Sequence, residues 1–272
     1  MTKELVETVV VVKVNAKELI KGYKEILVHV SKSSFRPILA TLNHVVENNK
    51  LTLVATDTHS LGKLTLDCES NSDVEFAVPR KAIQQLSKLK NKELVDEEII
   101  LEFSDNKIRY IVNGKEFISS MTESNYPSVE RILPVVNEDV SITFNIRELK
   151  ELIKRVKNTG YSRKFKKAVQ TNIRYNNEFE FSYEYKDEEG NVYYKKENID
   201  CDVKGFDNDY DIYIDVLQLE KHVNKFLVGN KKITLTFIEK EYMNRQNTSL
   251  IQVTYDGMKN YVGVLAPIRP FG

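Results

Sequence analysis

Asp57, His59 and Ser60 fall within four residues of one another inside Leu51–Leu64, LTLVATDTHSLGKL. A carboxylate, an imidazole and a hydroxyl are the groups of acyl transfer, so the triplet reads first as an acid–base pair beside a serine nucleophile. A nucleophile of the elbow type needs the turn G-x-S-x-G, and no such glycines flank Ser60. Nor does the chain supply an oxyanion-hole glycine loop, a phosphate cradle or a metal-spaced cluster of His, Cys, Asp and Glu. The competing reading is a hairpin corner. Apolar–polar alternation runs to Ala55, four polar residues (Thr56, Asp57, Thr58, His59) turn the chain, and apolar character returns at Leu61, with the turn side chains bonding their own backbone. On that reading the chain is no enzyme, carries no catalytic residue and needs no cofactor or metal.

The bulk properties narrow the classes. A chain of 272 residues, 41% apolar, is long for one domain and natural for two, each of about 130 residues. Formal net charge is zero, so attraction to a polyanion has to be local. Cys68 and Cys201 form no C-x-x-C pair, which suits a reducing cytoplasm and neither a disulfide framework nor a zinc site. No signal-like start and no membrane-length apolar run is present. A soluble cytoplasmic protein is expected, with Asn247-Thr248-Ser249 a chance glycosylation match.

Period and breakers place the elements. Thr8–Val14 is β-branched and reads as a strand; Ala16–Val30 switches to helical period, with Leu19, Ile20, Tyr23, Ile26, Leu27 and Val30 on one face and Lys17, Lys21 and Lys24 on the other. Ile38–Val46, Lys50–Ala55 and Ser60–Leu66 follow as strands. A second round has a strand to Val78, a helix from Pro79 to about Lys90, and strands Ile99–Phe103, Lys107–Val112 and Glu116–Met121, with turns at Asp105-Asn106 and Asn113-Gly114. After a proline-bounded connector the pattern restarts. Val140–Phe144 precedes a helix over Ile146–Lys157, then strands Ala168–Tyr175, Glu178–Tyr185 and Asn191–Val203. Tyr210–Ile214, a helix near Val216–Leu227, and strands Lys232–Ile238, Leu250–Tyr255 and Lys259–Pro267 close the chain. The expected fold is α+β: two tandem domains, each of eight strands and two helices, with the helices packed as one layer on antiparallel sheets. Boundaries fall at 1–121, a connector at 122–139, and 140–272.

The charge is not evenly spread. Net charges of +1 for Ala16–Val30, +5 for Pro79–Lys92, +3 for Ile146–Asn158 and +1 for Val216–Leu227 give the helices +10 and leave −10 elsewhere. A helix-covered surface that attracts phosphates, opposite a sheet surface that repels them, is the consequence.

Three phrases in order, ATDTHSL after NNKLTLV, VPRKAIQQLSKL, and NYPSVERILP, resemble the middle domain of the bacterial sliding clamp family, the ring-shaped beta subunit of the replicative DNA polymerase. The second half, ending YVGVLAPIRPFG, resembles the family's last domain. The resemblance implies the processivity-clamp fold and a ring around duplex DNA, lined by helices that touch the backbone without reading bases. The DNA-facing set it implies is Lys17, Lys21, Lys24, Arg80, Lys81, Lys88, Arg147, Lys150, Lys154 and Lys157. It also implies a pocket for short apolar peptides of DNA polymerase and clamp loader, built from Thr56, Thr58, His59, Ser60, Leu61, Pro134, Val264 and Ala266. The family favours glycine where this chain has Thr58, a basic residue where it has Ser60, and a larger side chain where it has Ala266, so peptide preference is expected to differ. Family members carry three such domains per chain and close as dimers; two domains here point to self-association as a homotrimer. A clamp-shaped protein-binding adaptor or decoy from a mobile element, which does not encircle DNA, is the other reading.

Overall fold

Each of the four helices among the described residues begins where a strand ends, at a junction whose chemistry repeats. Asn15 closes β1 (Val10–Asn15) and its side-chain oxygen accepts from the backbone N–H of Lys17 and Glu18, both at 3.1 Å, opening α1 (Ala16–Ile26). Asn145 at the end of β10 (Ser141–Asn145) accepts from Arg147 N–H at 2.9 Å and opens α3 (Ile146–Asn158). Asp215 at the end of β15 (Tyr210–Asp215) accepts from Leu217 N–H at 2.9 Å and opens α4 (Val216–His222). These caps satisfy donors that a helix start leaves without partners. Pro79, ending β5 (Val74–Pro79), opens α2 (Arg80–Leu86) with its fixed φ instead.

The computed structural model describes residues 10–33, 35–90, 94, 98–104, 106–123, 125–130, 133, 140–158, 170–176, 178–186, 189, 191–205, 210–223, 232–238 and 250–268. The chain divides into two units, one reaching Asp57 and resuming over Gly62–Pro127, the other holding Thr58–Leu61 and everything from Ser128.

In the first unit the remaining strands are β2 (Thr41–Glu47), β3 (Lys50–Thr56), β4 (Ser60–Ser70), β6 (Glu98–Ser104), β7 (Lys107–Val112), β8 (Lys115–Ser120) and the short β9 (Thr122–Glu123). They form two antiparallel layers, β4-β1-β6-β7-β8 and β9-β5-β2-β3-β4, which share the long strand β4. The second unit repeats the arrangement with β11 (Gln170–Asn176), β12 (Glu178–Lys186), β13 (Val192–Asn198), β14 (Cys201–Lys204), β16 (Lys232–Ile238), β17 (Leu250–Tyr255) and β18 (Tyr261–Leu265). Its layers are β14-β10-β16-β17-β18 and β13-β12-β11-β15. What β4 does as one strand, β13 and β14 divide between two sheets. The single strand expected over Asn191–Val203 is therefore broken at Ile199-Asp200, because its halves pair with different partners, β12 and β10.

Other boundaries shift for local reasons. α1 stops at Ile26 and tightens into a 3-10 turn over Leu27–His29, the carbonyls of Leu27 and Val30 being taken by the Arg80 guanidinium at 2.8 and 2.6 Å. Ile38–Ala40, expected to begin a strand, belong instead to a 3-10 turn over Pro37–Ala40 with proline at its start. α2 ends at Leu86: the Ser87 hydroxyl bonds back to the Gln84 carbonyl at 3.0 Å, and Lys88 and Leu89 N–H reach only three residues back. The expected extension of α4 to Leu227 runs past the described residues.

The core of the first unit contains a polar chain. His44, fully buried, donates from Nδ1 to the Leu42 carbonyl at 3.0 Å, which leaves Nε2 to accept the Tyr23 hydroxyl at 3.0 Å. Its ring stacks on Phe76 with centroids 4.6 Å apart. In both units a strand glycine admits a buried histidine: a Cβ on Gly62 would meet His29 at 2.5 Å, and one on Gly263 would meet His222 at 2.5 Å. Each glycine is the third residue of its strand.

Burial holds the His44 imidazole neutral, lowering its pKa to about 3. An unfolded histidine titrates near 6.5, so His44 favours the native state fully above that pH and progressively less as pH falls toward 3. Tyr23→Phe leaves a buried Nε2 without its donor, and chemical denaturation at neutral pH is expected to show a loss of about 1–3 kcal/mol.

Candidate functional site

Two residues after the cap, three of the four helices among the described residues carry an exposed cation: Lys17 on α1, Lys81 on α2 and Arg147 on α3, with half-buried Leu217 at the same position of α4. A helix start carries partial positive charge, so a cation in the first turn opposes the helix dipole by roughly 0.3–1 kcal/mol. Propensity does not explain a cation there. Glu18 and Glu148 stand beside Lys17 and Arg147 in the first turns of α1 and α3 and offset part of that cost.

The other sequence-predicted cations have different surroundings. In the first unit Lys21 is exposed, with Nζ 3.9 Å from the Glu25 carboxylate. Lys24 is half-buried, its ammonium 3.5 Å from the Leu89 carbonyl. Arg80 joins the start of α2 to the turn after α1, and burial lowers its pKa. Lys88 is exposed but lies in the turn beyond α2. Only Arg80 and Lys81 of that positive stretch are helical, and Lys92 lies outside the described residues. In the second unit Lys154 is exposed. Lys150 is half-buried, and burial lowers its pKa. Lys157 bridges α3 to α4 through both oxygens of Glu220, at 2.5 and 2.7 Å. The structure thus sorts the ten residues into six that face outward (Lys17, Lys21, Lys81, Lys88, Arg147, Lys154) and four that are half-buried (Lys24, Arg80, Lys150, Lys157). For Lys24, Arg80 and Lys157 the partner lies on another element, and such pairing leaves no trace in helical period.

Glu25 sits among these lysines and was missed by pattern reading. It is 2% exposed on the inward face of α1, and neither carboxylate oxygen has a hydrogen-bond partner. Burial raises its pKa to about 7, and the charge of Lys21 opposes the rise. A glutamate at an apolar period position, next to Ile26, was the available signal.

At the corner, Asp57, His59 and Ser60 have separate roles. Thr56 is buried, and its N–H donates to the Tyr126 hydroxyl at 2.9 Å, joining two of the phrases quoted above. Burial pushes that phenol up to about 12. Asp57 is half-buried, whereas Thr58 and His59 are exposed. Thr58 takes φ +79°, a left-handed conformation that a β-branched residue adopts at a cost. Within the second unit the His59 carbonyl accepts from Ala266 N–H at 2.9 Å, and buried Ser60 lies 3.5 Å from the Lys221 ammonium. Leu61 and Val264 are buried at 3% and Ala266 is half-buried. Thr58, His59, Ser60, Leu61, Val264 and Ala266 therefore share the second unit and Thr56 belongs to the first; Pro134 lies outside the described residues. Tyr126 and Lys221 are the corner's unpredicted partners. Among the described residues no group of His, Cys, Asp and Glu is placed to hold a metal ion, and no helix is long and apolar enough to cross a membrane.

Residues 13–128 match the family model described as DNA polymerase III beta subunit, central domain. The beta sliding clamp of Staphylococcus epidermidis is 32% identical over 117 residues, which is 43% of this chain and 30% of that protein. That of Staphylococcus aureus is 31% identical over 127 residues, 46% of this chain and 33% of the relative. The matched stretch thus spans about a third of those relatives' length. Over nearly the whole chain the fold is that of solved sliding clamps. The DNA polymerase III beta chain of Streptococcus pneumoniae superimposes with TM-score 0.79 at 22% identity, covering 99% of this chain and 67% of that one. The Bacillus subtilis sliding clamp gives 0.76 at 17% identity, covering 100% and 67%.

Two substitutions test these placements. The native Glu25 carboxyl titrates near 7 rather than 4.5, so the native state loses stability as pH rises between those values and does not recover it above. Glu25→Gln is expected to stabilise the protein by ~1–3 kcal/mol above pH 7 and to change little below pH 4.5, read from denaturant midpoints across pH. Thr58→Gly relieves the left-handed strain, and a gain of about 1 kcal/mol is expected in the same assay.

Proposed function

From residues 13–128, which match the central-domain model of the DNA polymerase III beta subunit, we propose that this chain is a DNA sliding clamp, a processivity factor that closes as a ring around duplex DNA. The observation that carries this reading is the set of exposed cations Lys17, Lys81 and Arg147, each placed where its own helix dipole disfavours it. Backbone contact through such residues is independent of sequence and weakens with salt. Lys21, Lys88 and Lys154 extend the same charge, while Lys24, Arg80, Lys150 and Lys157 act first in the packing around the helices and only secondarily through their field.

Ring closure is the work of several copies, and a homotrimer of two-domain chains is the assembly proposed: 94.5 kDa from three chains of 31.5 kDa. The corner Thr58–Leu61, with Val264 and Ala266, is the proposed seat of short apolar peptides from DNA polymerase and clamp loader. Buried Leu61 would serve there as support under the peptide, with Thr58 and His59 as its exposed contacts.

The test is retention on DNA. Loaded by a bacterial clamp loader onto a nicked circular duplex, the protein is expected to stay bound through a high-salt wash and to be lost once the circle is linearised. Lys17→Glu combined with Arg147→Glu is expected to reduce loading about tenfold or more while leaving the denaturant midpoint unchanged or higher. Equal retention on circular and linear duplex overturns encirclement, and absence of any DNA association leaves the protein-binding adaptor.

A further inference from the structure

Lys17, Lys21 and Glu25 follow one another at intervals of four along α1 and so form one row on the helix. The two lysines are exposed and belong to the proposed DNA-facing set, whereas Glu25 ends the row inside the protein, 2% exposed. A buried carboxylate is ordinarily held by hydrogen bonds and by a cation in direct contact. Glu25 has neither: no donor reaches either oxygen, and the Lys21 ammonium stops 3.9 Å away. A neutral acid is less costly to bury in such a place than an anion, and burial raises the pKa of this one to about 7.

The elements packed on α1 hold their other charges elsewhere. Arg80 of α2 bonds the Leu27 and Val30 carbonyls, and Lys81 is exposed. Lys13 of β1 lies 3.9 Å from Glu69, and Lys50 of β3 bonds Asp67. Glu102 of β6 lies 3.3 Å from Arg109, and Glu98 is exposed. β4 meets Gly22 through Leu64 and Leu66, so alternation turns Lys63, Asp67 and Glu69 to its other face. His29 of the 3-10 turn is buried against Gly62. On α1 itself Lys24 reaches the Leu89 carbonyl and Glu18 is exposed. Among the described residues Lys21 is thus the one cation at ion-pair distance from Glu25.

We propose that the proton on Glu25 controls whether Lys21 is presented to DNA. With the carboxyl neutral, the ammonium is left to phosphate. With it ionised, the two side chains, one turn apart, close into an ion pair, and α1 offers Lys17 without Lys21. The exchange asks only for a change of lysine rotamer. The inference rests on the clamp reading, which supplies the DNA, and adds a pH dependence to it: attachment strengthens below about pH 7 and weakens above it.

Salt titration at two pH values tests it. Wild-type binding to a short fluorescent duplex is expected to be about threefold or more tighter near pH 6 than near pH 8, with a slope of log K against log salt steeper by about one. Glu25→Gln is expected to keep the tighter binding and the steeper slope at both values, and Lys21→Gln the shallower slope at both. The histidines titrate in all three proteins, so the difference between wild type and Glu25→Gln isolates the carboxyl. Calorimetry reads the same linkage without a substitution: near pH 7 the wild type is expected to take up a fraction of a proton per chain on binding, seen as a heat that varies with the ionisation enthalpy of the buffer. A wild-type slope equal at both pH values, or one that changes identically in Glu25→Gln, overturns the proton control and leaves the clamp reading standing. Absence of salt-sensitive binding to duplex at either pH overturns both.

Discussion

Antiparallel ladders between halves of each unit are the interaction on which the rest depends. β1 is held by β6 and β2 by β5, each pair drawing one strand from β1–β4 and one from β5–β8. β10 is held by β16 and β11 by β15 in the same way. No strand–helix–strand repeat can therefore complete its own sheets. The backbone donors of one repeat find acceptors only when the other is in place. This coupling brings α1 beside α2 and α3 beside α4, so that the apolar side of each helix is covered and its charged side is left to the solvent.

That arrangement explains why lysines and arginines of similar sequence context end in different surroundings. Arg80 begins a helix, but its guanidinium reaches carbonyls that the α1 turn leaves open, and so it holds two helices of one unit together. Lys157 does the same for the second unit through Glu220. Lys17, Lys81 and Arg147 stand exposed at the first turn of their helices and meet no such acceptor in the contacts described. Charge is thus spent structurally where helices meet and remains available where they begin.

Polar groups inside the first unit follow the same logic of satisfaction. His44 is kept neutral because its two nitrogens are matched to one acceptor and one donor. Glu25 has no comparable match, which is why burial shifts its proton affinity so far. The corner at Thr56–Leu61 combines both situations. Tyr126 anchors its entry and Ala266 its exit, while Thr58 between them carries a strained backbone.

What the amino-acid order determined by itself was local. The strand-to-helix junctions at Asn15, Asn145 and Asp215, the tight turns at Asn48-Asn49 and Asn113-Gly114, and the inward stripes of the helices depend on neighbours within a few residues, whose spacing is visible in one dimension. The repeated domain plan and the resemblance of ATDTHSL and its companion phrases followed from the same near-neighbour order. Tertiary structure alone decided where partners distant in the chain meet. Arg80 finds Leu27 across 53 residues, Tyr126 finds Thr56 across 70, and Lys157 finds Glu220 across 63. It also decided that β4 stays whole while its counterpart splits into β13 and β14, and that Glu25 is interior. These outcomes depend on which surfaces the cross-repeat ladders press together, and helical or strand period carries no information about the far side of such a contact.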